Sequence, residues 1–312
     1  SVDVVGPMGR SAGQIGAEIL RIGEVAYVES AQACGLHLVP PKHRDPTLTT
    51  SYGVGELIAA AVSGGASTIV VGLGGSGTND AGSGMLAALG ASADARLDAG
   101  GLALAQVTTC DLSRAREAVA AVTLVAATDV DSPLLGLTGA TNVFAAQKGA
   151  DDHQIMKLEG ALESFARVLG RRASDGKDPA VALGAGAAGG LGYALLQLGA
   201  TRAAGIGTVM AAVGFSQRVA DADLVVTGEG RFDWTSLRGK VVSGVAAQAL
   251  AGVRPCVVIA GEVVVGRREY STIGVSGAYS VSEIVGSLDY SMHHPAQSVQ
   301  RTAERVAQTW SR

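Results

Sequence analysis

The sequence predicts an α/β protein built on a parallel sheet, and three observations carry that prediction. Short all-apolar runs alternate with segments of helical periodicity, the order of strand–helix–strand units joined by right-handed crossovers. Four turns, at residues 72–80, 127–134, 184–192 and 227–233, each follow an apolar run; three of them are glycine-rich and three carry acids. The composition is that of an apolar globular enzyme: 47% hydrophobic and 17% charged, with 44 glycines among 312 residues. That length suits two domains or one large α/β domain.

Taken in order, residues 3–5 and 25–29 read as short strands, and Pro40 and Pro41 follow them. Residues 55–62 read as a helix closed by Gly64 and Gly65. Residues 67–72 read as a buried strand that runs into the first glycine turn. Residues 80–89 return as a helix of small residues. Residues 122–127 form another strand, which delivers Asp129 and Asp131. Between 152 and 169 the spacing of Ile155, Leu158, Leu162, Phe165 and Leu169 is helical, with Asp151 or Asp152 as N-cap. Residues 224–227 and 257–260 are short apolar strands, with a helix at 241–250 between them. Residues 295–310 form a terminal amphipathic helix.

Several function classes fall away. A net charge of −4 without a basic stripe, and 4% aromatics, give no basis for nucleic-acid binding. Cys34, Cys110 and Cys256 lie far apart without metal-ligand spacing, and Cys256 reads as a small core residue. The five histidines form no zinc motif. No apolar stretch reaches membrane-spanning length and no signal peptide opens the chain, so no membrane partner is expected and the reducing cytoplasm is the expected compartment.

The turns themselves point to phosphoryl transfer. Glycines at the carboxyl ends of buried strands let backbone N–H groups approach an anion, and carboxylates beside them suit a cation that bridges phosphates. In the first turn Gly74, Gly75, Ser76, Thr78, Asn79 and Asp80 are candidates for nucleotide contacts, although Asp80 reads equally well as a helix N-cap. This turn matches neither the P-loop nor the dinucleotide fingerprint. Asp129 and Asp131, two residues apart at a strand end, repel each other unless a cation or a local turn relieves them, so they are candidate Mg²⁺ ligands or Asx-turn caps. Only five lysines stand in the chain, and Lys148 and Lys240 sit beside glycine, where an exposed ammonium is either simply solvated or reaches phosphate oxygens. Glu229, Arg231 and Asp233 alternate beyond a strand ending at Thr227. They read as a salt-bridged surface loop or as ligand groups at the carboxyl edge of a parallel strand.

As a set these stretches resemble the type I family of bacterial glycerate kinases. Residues 71–80 are similar to the family's GIGGSATNDGG stretch, 127–134 to CDVDNPL, 144–150 to VFGPQKGA, 184–192 to GAGAAGGLG, and 224–240 to DLVITGEGRID…GK; residues 49–53 resemble TTSYG. The likeness runs over nearly the whole chain. Gly77 stands where the family has alanine, Ala81 where it has glycine, and Trp234 where it has a polar residue. The family's opening PDSFKGS-like and DGGEGT-like turns have no counterpart here. Residues 1–38 resemble the part that follows them, and a segment of several tens of residues is expected to precede it.

The resemblance implies a two-lobed α/β fold with the active site in the cleft between the lobes: a parallel Rossmann-like sheet in one lobe and a mixed α/β second lobe. Residues 1–218 are expected to form the mixed lobe, and 219–312 the C-terminal part of the Rossmann-like one. It implies an ATP-dependent, Mg²⁺-dependent kinase for D-glycerate, making 2-phosphoglycerate or 3-phosphoglycerate, and allows a homodimer. Asp129 and Asp131 would serve Mg²⁺ or the glycerate hydroxyl, and Lys148 the phosphate charge. Glu229, Arg231 and Asp233 would organise the cleft, while the glycine turns, Gly189 and Gly190 among them, and Lys240 would hold the nucleotide. Two other readings stand beside it: a non-catalytic ligand-binding relative of such a kinase, and an oxidoreductase, against which the missing nicotinamide fingerprint argues.

Overall fold

The computed structural model describes residues 1–172, 174–237 and 241–311. The chain divides into two compact units, Ser1–Gly205 and Ile206–Arg312.

The first unit is organised by a five-stranded sheet. In chain order the first strands of the unit are β1 (Val2–Val5), β2 (Gln14–Ala17), β3 (Ile19–Ile22), β4 (Val25–Glu29) and β5 (Thr68–Gly72). The two-residue strands β6 (Ser92–Ala93) and β7 (Cys110–Asp111) form a small antiparallel pair, as do β1 and β2. Then come β8 (Thr123–Ala127) and β9 (Thr201–Ala203). The sheet order is β3-β4-β5-β8-β9, antiparallel only between β3 and β4. Its central strand β5 buries Ile69, Val70 and Val71 in succession, the pattern of a parallel strand covered on both faces. Ile69, Val71 and Leu124 lie in one core with Leu57 and Ile58 of the helix Tyr52–Ser63 and with Phe165 of the helix Asp152–Leu169.

The helix Asp152–Leu169 shows how local the cause of a helix can be. Asp151 accepts from the Gln154 backbone N–H at 2.7 Å and Gln154 Oε1 accepts from the Asp151 N–H at 3.0 Å, a reciprocal capping box. Its buried residues, Leu158, Ala161, Leu162, Phe165 and Ala166, recur at the three- and four-residue spacing of a single face. The helix predicted at 80–89 is shorter, Ser83–Ala88, because Ala81 (φ 51°) and Gly82 (φ 71°) turn through the left-handed region before it can begin. Ala81 therefore holds a conformation that glycine, the family's residue there, adopts without steric cost.

The second unit carries a parallel three-stranded sheet, β10 (Val225–Phe232), β11 (Cys256–Val263) and β12 (Gly277–Ser280), in that order. Its core gathers Phe232, Val242, Val245, Ala246, Ala249, Cys256, Val258 and Ala260. Cys256 is thus a core residue. The strand predicted to end at Thr227 runs on to Phe232, with Glu229 opposite Ala260 and Arg231 opposite Glu262. Glycine is depleted in strands, so residues 228–230 read as a turn. Here glycine permits the strands to meet: a Cβ on Gly228 would lie 2.3 Å from the Ile259 carbonyl oxygen. The terminal helix Pro295–Trp310 ends as predicted, with Trp310 Nε1 donating to the Tyr279 hydroxyl at 2.8 Å.

Candidate active site

The register of the first unit's sheet assembles a site at its carboxyl edge. Glu29 pairs with Gly72, Gly72 with Ala127 and Ala127 with Ala203, so β4, β5, β8 and β9 end level with one another. The segments that leave them, around Ser30–Leu36, 73–80, 128–131 and 204–205, meet at the edge where α/β folds bind ligands.

The 73–80 turn splits in two. Its exposed half, Gly74 and Gly75, opens on a pocket of about 370 Å³, lined also by Leu36, Leu73, Ser76, Val130, Phe144, Gln147, Lys148 and Ala188. Among the described residues no acceptor takes the N–H of Gly74 or Gly75. Gly75 sits at φ 70°, and its carbonyl accepts from Leu36 N at 2.9 Å while Gly77 N donates to the Cys34 carbonyl at 2.7 Å. These bonds fix the turn against residues 34–36, and Gly74 and Gly75 line the pocket with their N–H groups unpaired among the described residues.

The buried half, Thr78, Asn79 and Asp80, is fully enclosed. Asp80 accepts four hydrogen bonds: from the Ser51 N–H and hydroxyl, each at 2.8 Å, and from the N–H groups of Gly82 at 3.1 Å and Gly84 at 3.3 Å. It ties the starts of the helices Tyr52–Ser63 and Ser83–Ala88 together, the capping role weighed above. Burial raises its pKa and those bonds oppose the rise. Asn79 Nδ2 donates to Thr141 Oγ1 at 3.0 Å, and its Oδ1 is buried with no partner among the described residues. The 49–53 stretch packs against this turn, with Thr49 Oγ1 donating to the Gly77 carbonyl at 2.9 Å.

Lys148 is the surprise of the site. Expected as an exposed ammonium, it is 3% exposed in the pocket wall, its Nζ donating to Ser76 Oγ at 3.0 Å and to the Thr78 carbonyl at 2.7 Å. Burial pushes its pKa from 10.5 down to about 8, against the pull of Cys34 and Asp80. Two of three ammonium donors are used inside the protein. Cys34 beside it is held as a neutral thiol, its pKa pushed up to about 12 by burial and by Asp80.

Asp129 and Asp131 leave β8 exposed. Asp129 Oδ1 accepts from the Gly205 N–H at 2.9 Å, and Asp131 Oδ1 accepts from Arg202 Nη2 at 2.6 Å. Among the described residues no group of three or more His, Cys, Asp or Glu could hold a metal ion. Each carboxylate keeps one oxygen that takes no hydrogen bond from the described residues, a hard oxygen donor of the kind a divalent cation takes. Arg202 had no mark in the sequence beyond its place after the 184–192 glycine run. Pairing it with Asp131 requires knowing that β9 lies beside β8.

Gly189 and Gly190 serve packing. A Cβ on Gly189 would lie 2.0 Å from the Thr78 carbonyl oxygen, and one on Gly190 2.6 Å from Ala81 Cα. Both are buried and turn through the left-handed region, φ 67° and 90°. In the second unit Glu229 is half-buried, with Oε1 buried and unpartnered among the described residues. Arg231 is exposed, and Asp233 accepts from the Thr235 N–H at 2.8 Å and hydroxyl at 2.7 Å. Lys240 lies outside the described residues.

A sequence model of the glycerate kinase family matches residues 1–311. The chain belongs to the glycerate kinase family. It is 40% identical over 294 residues to a Bacillus subtilis glycerate kinase, covering 91% of this chain and 75% of that one, and 38% identical over 312 residues to an Escherichia coli glycerate 2-kinase, covering 98% and 81%. A solved structure of a Salmonella typhimurium LT2 protein described as glycerate kinase 2 superposes with a TM-score of 0.80 at 37% identity, over 99% of this chain and 81% of that one. Membership in this glycerate kinase family makes the chain a kinase and removes the oxidoreductase reading. No helix among the described residues is long and apolar enough to cross a membrane.

Proposed function

We propose that the chain transfers the γ-phosphoryl group of ATP to D-glycerate, giving 2-phosphoglycerate or 3-phosphoglycerate. The observation that carries the proposal is the Lys148 ammonium, buried in the wall of a pocket whose rim offers the unpaired N–H groups of Gly74 and Gly75. A buried cation beside backbone donors suits an anion with spread charge, such as a carboxylate or a phosphoryl group in flight. The pocket of about 370 Å³ is of a size for a three-carbon acid and a phosphoryl group.

In phosphoryl transfer the protein positions the reactants and neutralises charge more than it does covalent chemistry. Lys148 holds charge at the transferred group, and the turn amides orient it and exclude water. Asp129 and Asp131 are the residues that would hold Mg²⁺, which when bound neutralises phosphate charge. The test is ADP release with D-glycerate, with and without EDTA. The expected result is metal-dependent turnover with glycerate; equal turnover in EDTA, or turnover with a sugar and none with glycerate, refutes it. Coupling the product to enolase and pyruvate kinase reads 2-phosphoglycerate alone and so assigns the carbon.

A further inference from the structure

Arg202 enters the site by a built route. It lies on β9 opposite Ala126 of β8, and its side chain runs forward past the sheet edge to Asp131. Its stem crosses the first glycine of the 184–192 run. Gly184 stands at φ 84°, where a Cβ would lie 3.0 Å from Arg202 Cδ, 3.1 Å from Nε and 3.1 Å from Thr128 Cγ2. The absence of a side chain there makes room for the arginine. Asp129 and Asp131 are thus held alike, one oxygen on a fixed donor and the other taking no hydrogen bond from the described residues. The donors differ in charge. Gly205 N–H is neutral, whereas the Arg202 guanidinium is a cation.

We propose that Arg202 is the positioning residue of this carboxylate pair: it orients Asp131 and acts as the counter-ion that keeps the pair from taking a divalent cation ahead of the nucleotide. The proposal rests on the reading that Asp129 and Asp131 hold the metal. Two bare carboxylates attract a divalent cation, and a unit positive charge on one of them opposes it by roughly tenfold in affinity in water-like surroundings. Phosphate charge arriving with the cation reverses that balance, because the guanidinium then faces anions on two sides. The metal therefore binds with the nucleotide instead of before it.

The experiment titrates Mn²⁺ by electron paramagnetic resonance into wild-type protein, Arg202→Gln, Arg202→Lys, Asp129→Asn, Asp131→Asn and Arg202→Gln/Asp131→Asn, each with and without ATP. Circular dichroism checks the fold of every variant. Without nucleotide, Arg202→Gln should bind Mn²⁺ about tenfold more tightly than wild type, Arg202→Lys should stay weak, and the double variant should lose the gain. With ATP present, Arg202→Gln should lose most of its advantage and show a raised KM for MgATP. A merely structural arginine would not tighten metal binding. If Arg202→Gln binds Mn²⁺ as wild type does while Asp129→Asn and Asp131→Asn weaken binding with ATP, the arginine's role is refuted and the metal reading stands. If neither carboxylate variant changes Mn²⁺ binding with ATP, the metal reading falls and the proposal falls with it.

Discussion

Lys148→Met should make the protein more stable and nearly inactive at once. Lys148 is 3% exposed, and burial moves its pKa from 10.5 to about 8. That displacement corresponds to about 3 kcal/mol by which folding disfavours the charged form at neutral pH. Methionine is close to lysine in shape and carries no charge. It leaves the Thr78 carbonyl and Ser76 hydroxyl without their donor, at a cost of about 1–2 kcal/mol. The balance is a gain of roughly 1–2 kcal/mol at pH 7.

The sign with pH follows from proton counting. Below about 8 the lysine is protonated in both states, and the full burial penalty falls on the folded one. Between about 8 and 10.5 the unfolded chain keeps a proton that the folded chain has released, so wild-type stability rises with pH through that window. Methionine has nothing to titrate, so its advantage should shrink from pH 7 to pH 10. Both tryptophans, Trp234 and Trp310, lie in the second unit, so tryptophan fluorescence does not report on the first. Amide hydrogen exchange of peptides covering β5 and β8 does. Activity should fall by about 100- to 1,000-fold in kcat, the usual effect of removing one preorganised group from a developing charge. A variant less stable than wild type at pH 7, by a margin that does not change with pH, refutes the burial argument. Near-normal kcat refutes the role of the ammonium.

Other outcomes follow from the same geometry. The kcat/KM profile of the wild-type enzyme should fall on its alkaline side with an apparent pKa near 8, as Lys148 loses the proton that makes it a cation; a flat profile to pH 9.5 would remove it from the free enzyme's essential groups. Gly189→Ala should cost about 3 kcal/mol or more or prevent accumulation of folded protein, since its Cβ would meet the Thr78 carbonyl oxygen at 2.0 Å, whereas Gly160→Ala, with nothing within 4 Å in mid-helix, should stabilise by about 0.5–1 kcal/mol in urea titrations. Asp80→Asn should destabilise by about 2–4 kcal/mol because one amide oxygen replaces a carboxylate that accepts four bonds, and it should do so with little change in KM for ATP; a selective rise in that KM would return Asp80 to the ligand set.

How much of this was legible in the sequence depended on the range of the interaction concerned. The helix Asp152–Leu169 with an N-cap at its first acids, the strand Val25–Glu29 and the helix Pro295–Trp310 are written in neighbouring residues and are legible to within a residue, whereas Gln154, which closes the capping box, carries no mark of its own. Glycine was ambiguous because it does two opposite things. At Gly74 and Gly75 it exposes backbone donors, whereas at Gly189, Gly190 and Gly228 it lets backbones touch, and the one-dimensional pattern is the same.

The chemistry turned on what the sequence does not write. Lys148 stands beside Gly149 in a short polar stretch, the pattern of a solvated residue, yet it is buried because the turn formed 70 residues earlier supplies the Thr78 carbonyl that receives it. Asp131 likewise owes its partner to a strand 71 residues later. Both depend on the level ending of four parallel strands, which brings separate turns to one edge without any motif that spans them. A cation of lowered pKa and an acid held by a fixed guanidinium are therefore consequences of strand register. A substitution that shifts β8 or β9 by one residue should abolish the site while leaving every motif in it intact.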